Sequence, residues 1–395
     1  MTAATRFKLS YLLLFAAIGI LFNYYALYLQ RVGLTGTQVG IVLAVLPLAR
    51  VLSQPFWGLI GDIYRLRRVI LSGACLGAAL AGLALDRGDN FAWLLAVTIV
   101  LAILNGPIGP FCDALALEHL ERESRRQEYG SLRLWGSIGF AVTSFVIGAL
   151  VIGDSIRLII YLYSGTMALM GLVTATLPDE PHSAQATWRG SRSILRGNRI
   201  LTRFLVGITL IGMTLGVVNS YLIIYLTDIG AAGWISGLTF ALAGILEVPL
   251  MAYASVFIQR WGLRAVLVGG VALQPLRWLL YTVITIPLLV APTQILHSIA
   301  MLSLLVAGIL FTDQQLASQW RATGQTVYSA ALHGIGPSIG ILAAGVIYEY
   351  AGIGMVWWAC VVANLIGVSV MAWAVWTPRM AIGNDTSMQT PEIID

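Results

Sequence analysis

Four ionisable side chains stand inside long apolar stretches of the chain: Arg50, Glu247, Arg277 and His297. A charge in a low-dielectric setting costs several kcal/mol unless it is paired or reaches water, so such residues mark places where charge is used. Their types point to proton handling. A carboxyl group in apolar surroundings holds its proton tightly, a neighbouring guanidinium loosens it, and an imidazole exchanges a proton near neutral pH. Glu247 lies in LEVPLM (246–251), Arg277 in LRWLLY (276–281) and His297 in QILH (294–297). These are three successive apolar runs with the ionisable group at comparable depth, so the three are expected to meet, satisfy one another and form a proton site. A static buried ion-pair network would give the same residues a purely structural use. Asp113 and Arg133 fall nearer the ends of two adjacent runs and are expected to pair there, as a gate or as a tie.

The elements that position these groups follow from composition. Of 395 residues, 10% are charged and 58% apolar, and the mean hydropathy is +0.84. Such a chain requires lipid, since a soluble fold of this length would show polar surfaces and several domains. Twelve runs long enough to cross a ~30 Å hydrocarbon core are read at 9–30, 38–60, 69–85, 91–117, 131–152, 157–177, 201–226, 234–257, 264–284, 288–311, 326–348 and 353–376. The fold class expected is therefore all-α, with twelve transmembrane helices in a lipid bilayer.

The charge pattern orients the chain. With the N-terminus inside, 18 of the 23 basic residues fall on the cytoplasmic side, three outside (Arg31, Arg87, Arg157) and two in mid-membrane. This positive-inside bias places both termini in the cytoplasm, and the net charge of +5 becomes a topology signal that calls for no nucleic acid.

A shift of 197 residues brings the region around the first three runs onto that around the seventh to ninth without a gap. Tyr28, Leu29, Gly33, Gly36, Gly40, Ala44 and Val51 meet Tyr225, Leu226, Gly230, Gly233, Gly237, Ala241 and Val248. Leu66, Arg67, Val69, Gly73 and Leu76 meet Leu263, Arg264, Val266, Gly270 and Leu273. Apolar composition explains matched leucines but not glycines and an arginine held in register. The expected organisation is an N-terminal six-helix bundle (1–177), a polar cytoplasmic linker (178–199), a C-terminal six-helix bundle (200–377) and a cytoplasmic tail (378–395). Two bundles related by a parallel repeat can open a central site alternately to each side.

Other chemistries are not supported. Cys75, Cys112 and Cys360 lie inside helical runs without a CxxC pair, and the histidines at 119, 182, 297 and 333 fall on separate segments. Neither a metal site, nor a disulfide framework, nor a cofactor is expected, and no nucleophile–base motif of an intramembrane enzyme is present. The first run is too long for a signal-peptide core and is read as retained.

After the second run the chain reads GLIGDIYRLRR (58–68), which resembles the GxLaDRxGRR signature of the major facilitator superfamily; Ile63 stands where the family has Arg, and Arg65 where it has Gly. The second repeat carries RWGLR (260–264), with Gln259 in place of the acid. The pieces GPIGPFCDALALEHL (106–120), YGSLRLWGSIGF (129–140), YSAALHGIGPSIG (328–340) and GVIYEYAG (345–352) are similar to the branch of phenylpropionate permeases and, more distantly, lactose permeases and nucleoside–proton symporters. The resemblance implies secondary transport by two pseudo-symmetric six-helix bundles acting on a small-molecule substrate and protons, as a monomer in a bacterial inner membrane. Lactose permeases carry an acid, an arginine and a histidine on the same three helices as Glu247, Arg277 and His297. It also implies gating by Asp62 with Arg65, Arg67 and Arg68, and by Arg260 and Arg264, through charge-assisted bonds that break on opening.

Arg50 occupies the repeat position of Glu247 and suits a carboxylate substrate, because its planar fork holds both oxygens. Asn23, Gln54, Asn105 and Asn219 are candidates to complete that site, with Tyr24, Tyr25 and Tyr221 as aromatic walls; each type also serves as interhelical glue or interface anchor. Proton-coupled uptake of an organic solute is the leading function, proton-driven export of drugs or metabolites its nearest rival, and a transporter-derived sensor the reading from another class.

Overall fold

A computed structural model describes residues 2–150, 156–178, 198–317 and 320–377. The expected linker, apart from residues 178, 198 and 199, lies outside the described residues, as do the tail and the last two positions of the fifth run. The helices are α1 (Ala3–Arg31), α2 (Gly36–Ile63), α3 (Arg67–Leu85), α4 (Phe91–Arg122), α5 (Tyr129–Leu150), α6 (Leu158–Thr174), α7 (Arg199–Asp228), α8 (Gly233–Ala252), α9 (Leu263–Val283) and α10 (Pro287–Gln314). The run Thr323–Trp376 contains one non-helical residue, Gly352 (φ 79°, ψ 173°), which divides it into α11 (323–351) and α12 (353–376). Twelve spans result among the described residues, close to the expected boundaries. The eighth is shorter than expected, because α8 stops at Ala252 and a separate short helix, Ala254–Trp261, follows Pro249.

Helices are the only open-ended elements that satisfy every backbone group inside lipid, and their ends here carry ordinary caps. Thr35 and Gln38 form a reciprocal capping box at the start of α2, and Asn90 and Asn198 accept from the third residue of α4 and α7. The repeat is visible in the backbone as well. Gly33 (φ 102°) and Gly230 (φ 77°), 197 residues apart, both turn the chain with the left-handed φ that glycine adopts freely. Arg65 (φ 55°) and Gly262 (φ 82°) are a second pair with positive φ, so the arginine that replaces the family glycine takes a φ that glycine adopts freely.

Within the first half α1 packs on α5 and α6, α3 on α4 and α6, and α2 on α4. Within the second, α7 packs on the α11–α12 run and α8 on α10. The halves meet through α2 against α11 and α5 against α8. These crossings are glycine-lined and close: a Cβ added to Gly148 would lie 2.5 Å from the Cα of Gly237, and one on Gly40 would lie 2.9 Å from the Cα of Gly345. Two hydrogen bonds join the halves at the same end, from Gln30 Nε2 to Tyr348 Oη (2.8 Å) and from the Thr37 amide to Glu349 Oε2 (2.7 Å). All of these contacts lie at the end opposite the basic loops.

Helical regularity fails at the centre. A π-helical turn at Ile18–Phe22, the Gly106–Pro107 break of α4 and a π-helical turn at Ala331–Ile335 fall at mid-depth, where the halves face each other. Widened turns of this kind recur at functional sites because they re-aim side chains and free carbonyls. Since a side chain on Gly148 has no room in the closed crossing, Gly148→Val is expected to hold the end away from the basic loops apart. Labelling of an Asn219→Cys thiol from that side should then rise severalfold; unchanged labelling would show that this crossing does not control access.

Candidate functional site

The halves enclose a central cavity with three connected lobes. The largest, about 370 Å³, lies between α1, α2, α5, α7, α10 and α11 and is lined by Asn23, Arg50, Asn219, His297 and His333 together with apolar side chains. The second, about 200 Å³, runs into the C-terminal half and is lined by Glu247, Arg277, Gln294 and His297, again with Asn23 and Asn219. The third, about 210 Å³, follows α4 and α5 toward the basic end past Arg50, Gln54 and Asn105 to Asp113 and Arg133. The first lobe alone falls within the volume range of small-molecule sites.

Arg277 is 1% exposed yet has no carboxylate partner among the described residues. Three neutral acceptors hold it: Tyr281 Oη at 2.9 Å, His297 Nδ1 at 3.1 Å and Gln294 Oε1 at 2.8 Å. Its guanidinium also lies over the rings of Trp278 and Tyr281, 5.0 and 5.4 Å from their centroids. A guanidinium can only donate, so Nδ1 of His297 is the acceptor, and the ring is neutral with its proton on Nε2. Tyr281 and Gln294 are themselves tied, with Gln294 Nε2 donating to Tyr281 Oη (3.3 Å) and Thr293 Oγ1 bonded to the same hydroxyl (3.2 Å). Tyr281 and Gln294 were not among the sequence candidates, although their spacings held the signal: Arg277 and Tyr281 are four apart on one helix face, Gln294 and His297 three apart on the next.

The expected trio is thus divided. Arg277 and His297 touch, whereas Glu247 makes no hydrogen bond or ion pair with any described residue. Its carboxylate opens into the second lobe, and the cation whose field reaches it is Arg133 on α5, across the boundary between the halves. Tyr281, Gln294 and His297 each take one N–H of Arg277, so the groups that hold the guanidinium are neutral side chains and the acid is not among them.

Arg50 lines two lobes and likewise has no hydrogen bond or ion pair from its guanidinium among the described residues. The titratable groups in its neighbourhood are few: Tyr163 on α6, and His333 on the widened turn of α11. Asn219 is exposed to the cavity and Gln54 lines the third lobe, both without a side-chain partner among the described residues. Asn23 donates to Ser144 Oγ (2.9 Å), and Asn105 to Tyr163 Oη (3.0 Å), while both still border the cavity.

The aromatic walls expected from sequence are not there. Tyr24 is fully buried and donates to the Ser144 carbonyl (2.5 Å), locking the break in α1 onto α5; Tyr25 is fully buried, bonded to Thr98 Oγ1 (2.6 Å) and stacked on Tyr28. Tyr221 is buried beside Tyr348 near the inter-half crossing. The apolar walls are instead Phe15, Ile18, Phe22 and Phe140.

At the basic end Asp62 accepts twice from Arg67 (Nε 2.9 Å, Nη2 2.6 Å), and Arg67 also bonds Glu118. This cluster ties α2, α3 and α4 of the N-terminal bundle. Arg68 donates to the Leu177 carbonyl (3.1 Å) and Arg65 forms the tight turn. Arg260 and Arg264 are exposed, with no ion pair among the described residues. Asp113 and Arg133 approach only to 3.5 Å; the short bonds to Asp113 come from Tyr11 (2.7 Å) and Tyr129 (2.9 Å).

Comparison with known proteins fits this geometry. The model of the MFS_1 like family, transporters of the major facilitator type, matches residues 4–359. The chain is 27% identical over 372 residues to the maltose permease of Geobacillus stearothermophilus, covering 93% of each. It is also 27% identical over 360 residues to the probable 3-phenylpropionic acid transporter of Escherichia coli K12, covering 90% of this chain and 94% of that one. The crystal structure of the nucleoside transporter NupG superposes with a TM-score of 0.84 at 17% identity, covering 95% of this chain and 98% of that chain. The chain therefore belongs to the MFS_1 like family of multi-pass membrane transporters, proteins that are not enzymes.

The Arg277 shell gives a direct expectation. Gln294→Leu removes one of three acceptors from a buried guanidinium, which costs about 1–3 kcal/mol. The melting temperature of the purified protein should fall accordingly, and no fall would show that water or rearrangement replaces the lost acceptor.

Proposed function

We propose that the protein is a proton-coupled symporter of a small organic anion, working by alternating access as a monomer in a bacterial inner membrane with both termini in the cytoplasm. The observation that carries this reading is a pair of opposite charges, unpartnered among the described residues, facing one cavity: the Glu247 carboxylate on α8 and the Arg50 guanidinium on α2. In this reading Glu247 takes up and releases the transported proton. Arg277 and His297 form the wall beside it, with the His297 Nε2–H presented to the cavity. Arg50 receives the carboxylate of the substrate in a bidentate contact, and Asn23, Asn219 and Gln54 supply hydrogen bonds around it.

Alternating access follows from rocking of the halves 1–177 and 200–377 about the cavity, with 178–199 as a cytoplasmic linker. Closure at one end brings the Gly148–Gly237 and Gly40–Gly345 crossings together. The Asp62–Arg67–Glu118 cluster keeps the basic end of the N-terminal half rigid while it moves. A carboxylate substrate is in keeping with the name of the phenylpropionic acid transporter among the relatives, while the maltose permease makes a neutral sugar the alternative to be excluded.

Glu247→Gln, an uncharged isostere, should abolish accumulation driven by an imposed proton gradient while leaving exchange of substrate across the membrane in place. Undiminished accumulation by the variant would overturn the assignment of Glu247. Arg50→Lys keeps the charge and removes the fork. It should weaken binding of carboxylate ligands about tenfold, from loss of a bidentate contact, with the ligand-free melting temperature unchanged. Neutral sugars binding as well as carboxylates, with affinities indifferent to the substitution, would contradict the anion site.

A further inference from the structure

The two halves diverge at one place where the repeat predicts a match. In the first half Arg67 is neutralised by Asp62 and Glu118. The 197-residue offset sets Arg264 against Arg67, and both acids are replaced there: Gln259 stands in the position of Asp62 and Gln315 in that of Glu118. Arg264 and the nearby Arg260 are exposed and have no ion pair or hydrogen bond with any described residue; Arg260 only flanks the Trp261 ring, 6.0 Å from its centroid. An anion-binding corner has thus lost its internal anions while keeping its cations.

Beside this corner an apolar groove of about 410 Å³ opens on the flank of the C-terminal half, formed by α9, α10, the end of α8 and the short helix Ala254–Trp261. None of its lining residues belongs to the central cavity. Phe257 and Trp261 form a flat aromatic wall, their rings stacked at 5.4 Å with an interplanar angle of 6°. Gly269 has nothing within 4 Å of where a side chain would start, so the groove keeps its depth there. Trp261 and Ala265, which follow Arg260 and Arg264 in the chain, line it, so the two arginines stand at sequence neighbours of the groove wall. The Ser303 hydroxyl is committed to the carbonyls of Val266 (2.8 Å) and Ile299 (3.2 Å) and offers no polar purchase.

We propose that this corner binds one anionic phospholipid, with its phosphate on Arg260 and Arg264 and one acyl chain in the groove. Charge complementarity selects the head group, since two unpaired guanidinium groups at the membrane boundary attract anionic lipid, and basic pockets between transmembrane helices recurrently hold such head groups. The apolar lining and the interfacial tryptophan select a lipid rather than a soluble anion. The first half has no such need, because its own carboxylates already fill the equivalent corner.

The test is native mass spectrometry of the detergent-purified full chain titrated with dioleoylphosphatidylglycerol, with dioleoylphosphatidylcholine as the zwitterionic comparison. The wild type is expected to retain a single phosphatidylglycerol where phosphatidylcholine is lost. Arg260→Gln combined with Arg264→Gln should weaken retention about thirtyfold, the attraction expected of two basic groups at a lipid surface. Gly269→Leu, which fills the groove and keeps both arginines, should weaken it too, with an unshifted melting temperature in detergent as the folding control. Should the double variant fail to fold, Arg264→Gln alone and Gly269→Leu carry the test. Equal retention of the two lipids by the wild type, or retention of phosphatidylglycerol unaffected by both the charge and the groove variants, would overturn the proposal.

Discussion

The organisation of the molecule depends on one electrostatic constraint: a charge inside the membrane must be held by polar partners or must face water. Arg277 is held by partners, with three neutral acceptors and two aromatic rings around a side chain that is 1% exposed. Glu247 and Arg50 are the other case, each free of partners among the described residues and each opening into the central cavity. A charge held by several hydrogen bonds is fixed in place, whereas one that faces a cavity is placed to exchange a proton or receive an ion.

The same constraint shapes the backbone. A cavity between two bundles needs helices that approach closely at one end and part at mid-depth. Glycine pairs supply the close approach, as at Gly148 and Gly237, because helix association in lipid rests on packing rather than on hydrophobic expulsion. The widened turns at Ile18–Phe22 and Ala331–Ile335 lie at the parting, and they carry Ile18, Phe22 and His333 into the cavity wall. The ion cluster of Asp62, Arg67 and Glu118 lies outside this region and holds three helix ends of a single bundle.

The sequence made the fold legible through features that helices in lipid cannot hide. Apolar run length located the twelve spans, and the 197-residue repeat anticipated even the backbone: Gly33 with Gly230, and Arg65 with Gly262, share a positive φ. Ionisable residues were legible for the same reason, since each stands out against an apolar background. The facing of Tyr24, Tyr25 and Tyr221 was not. A helix that is apolar all round has no phase to read from its composition, and the π-helical turn at Ile18–Phe22 shifts the phase just before Tyr24 and Tyr25. Gln294 and Tyr281 were overlooked because neutral polar side chains are ambiguous in a membrane helix until the charge they serve is located. The separation of Glu247 from Arg277 is set by how the helices face one another, which residue types do not show.

The most direct test of the central claim, that the open carboxylate of the cavity moves a proton together with the solute, is the pH of the medium around de-energised, lightly buffered proteoliposomes. A transported carboxylate is added to the wild-type protein with no ion gradient imposed. The account predicts transient alkalinisation outside, abolished by a protonophore, as each solute molecule carries a proton inward. Entry of the solute with no change of external pH, or with acidification as in exchange for an internal proton, would contradict it.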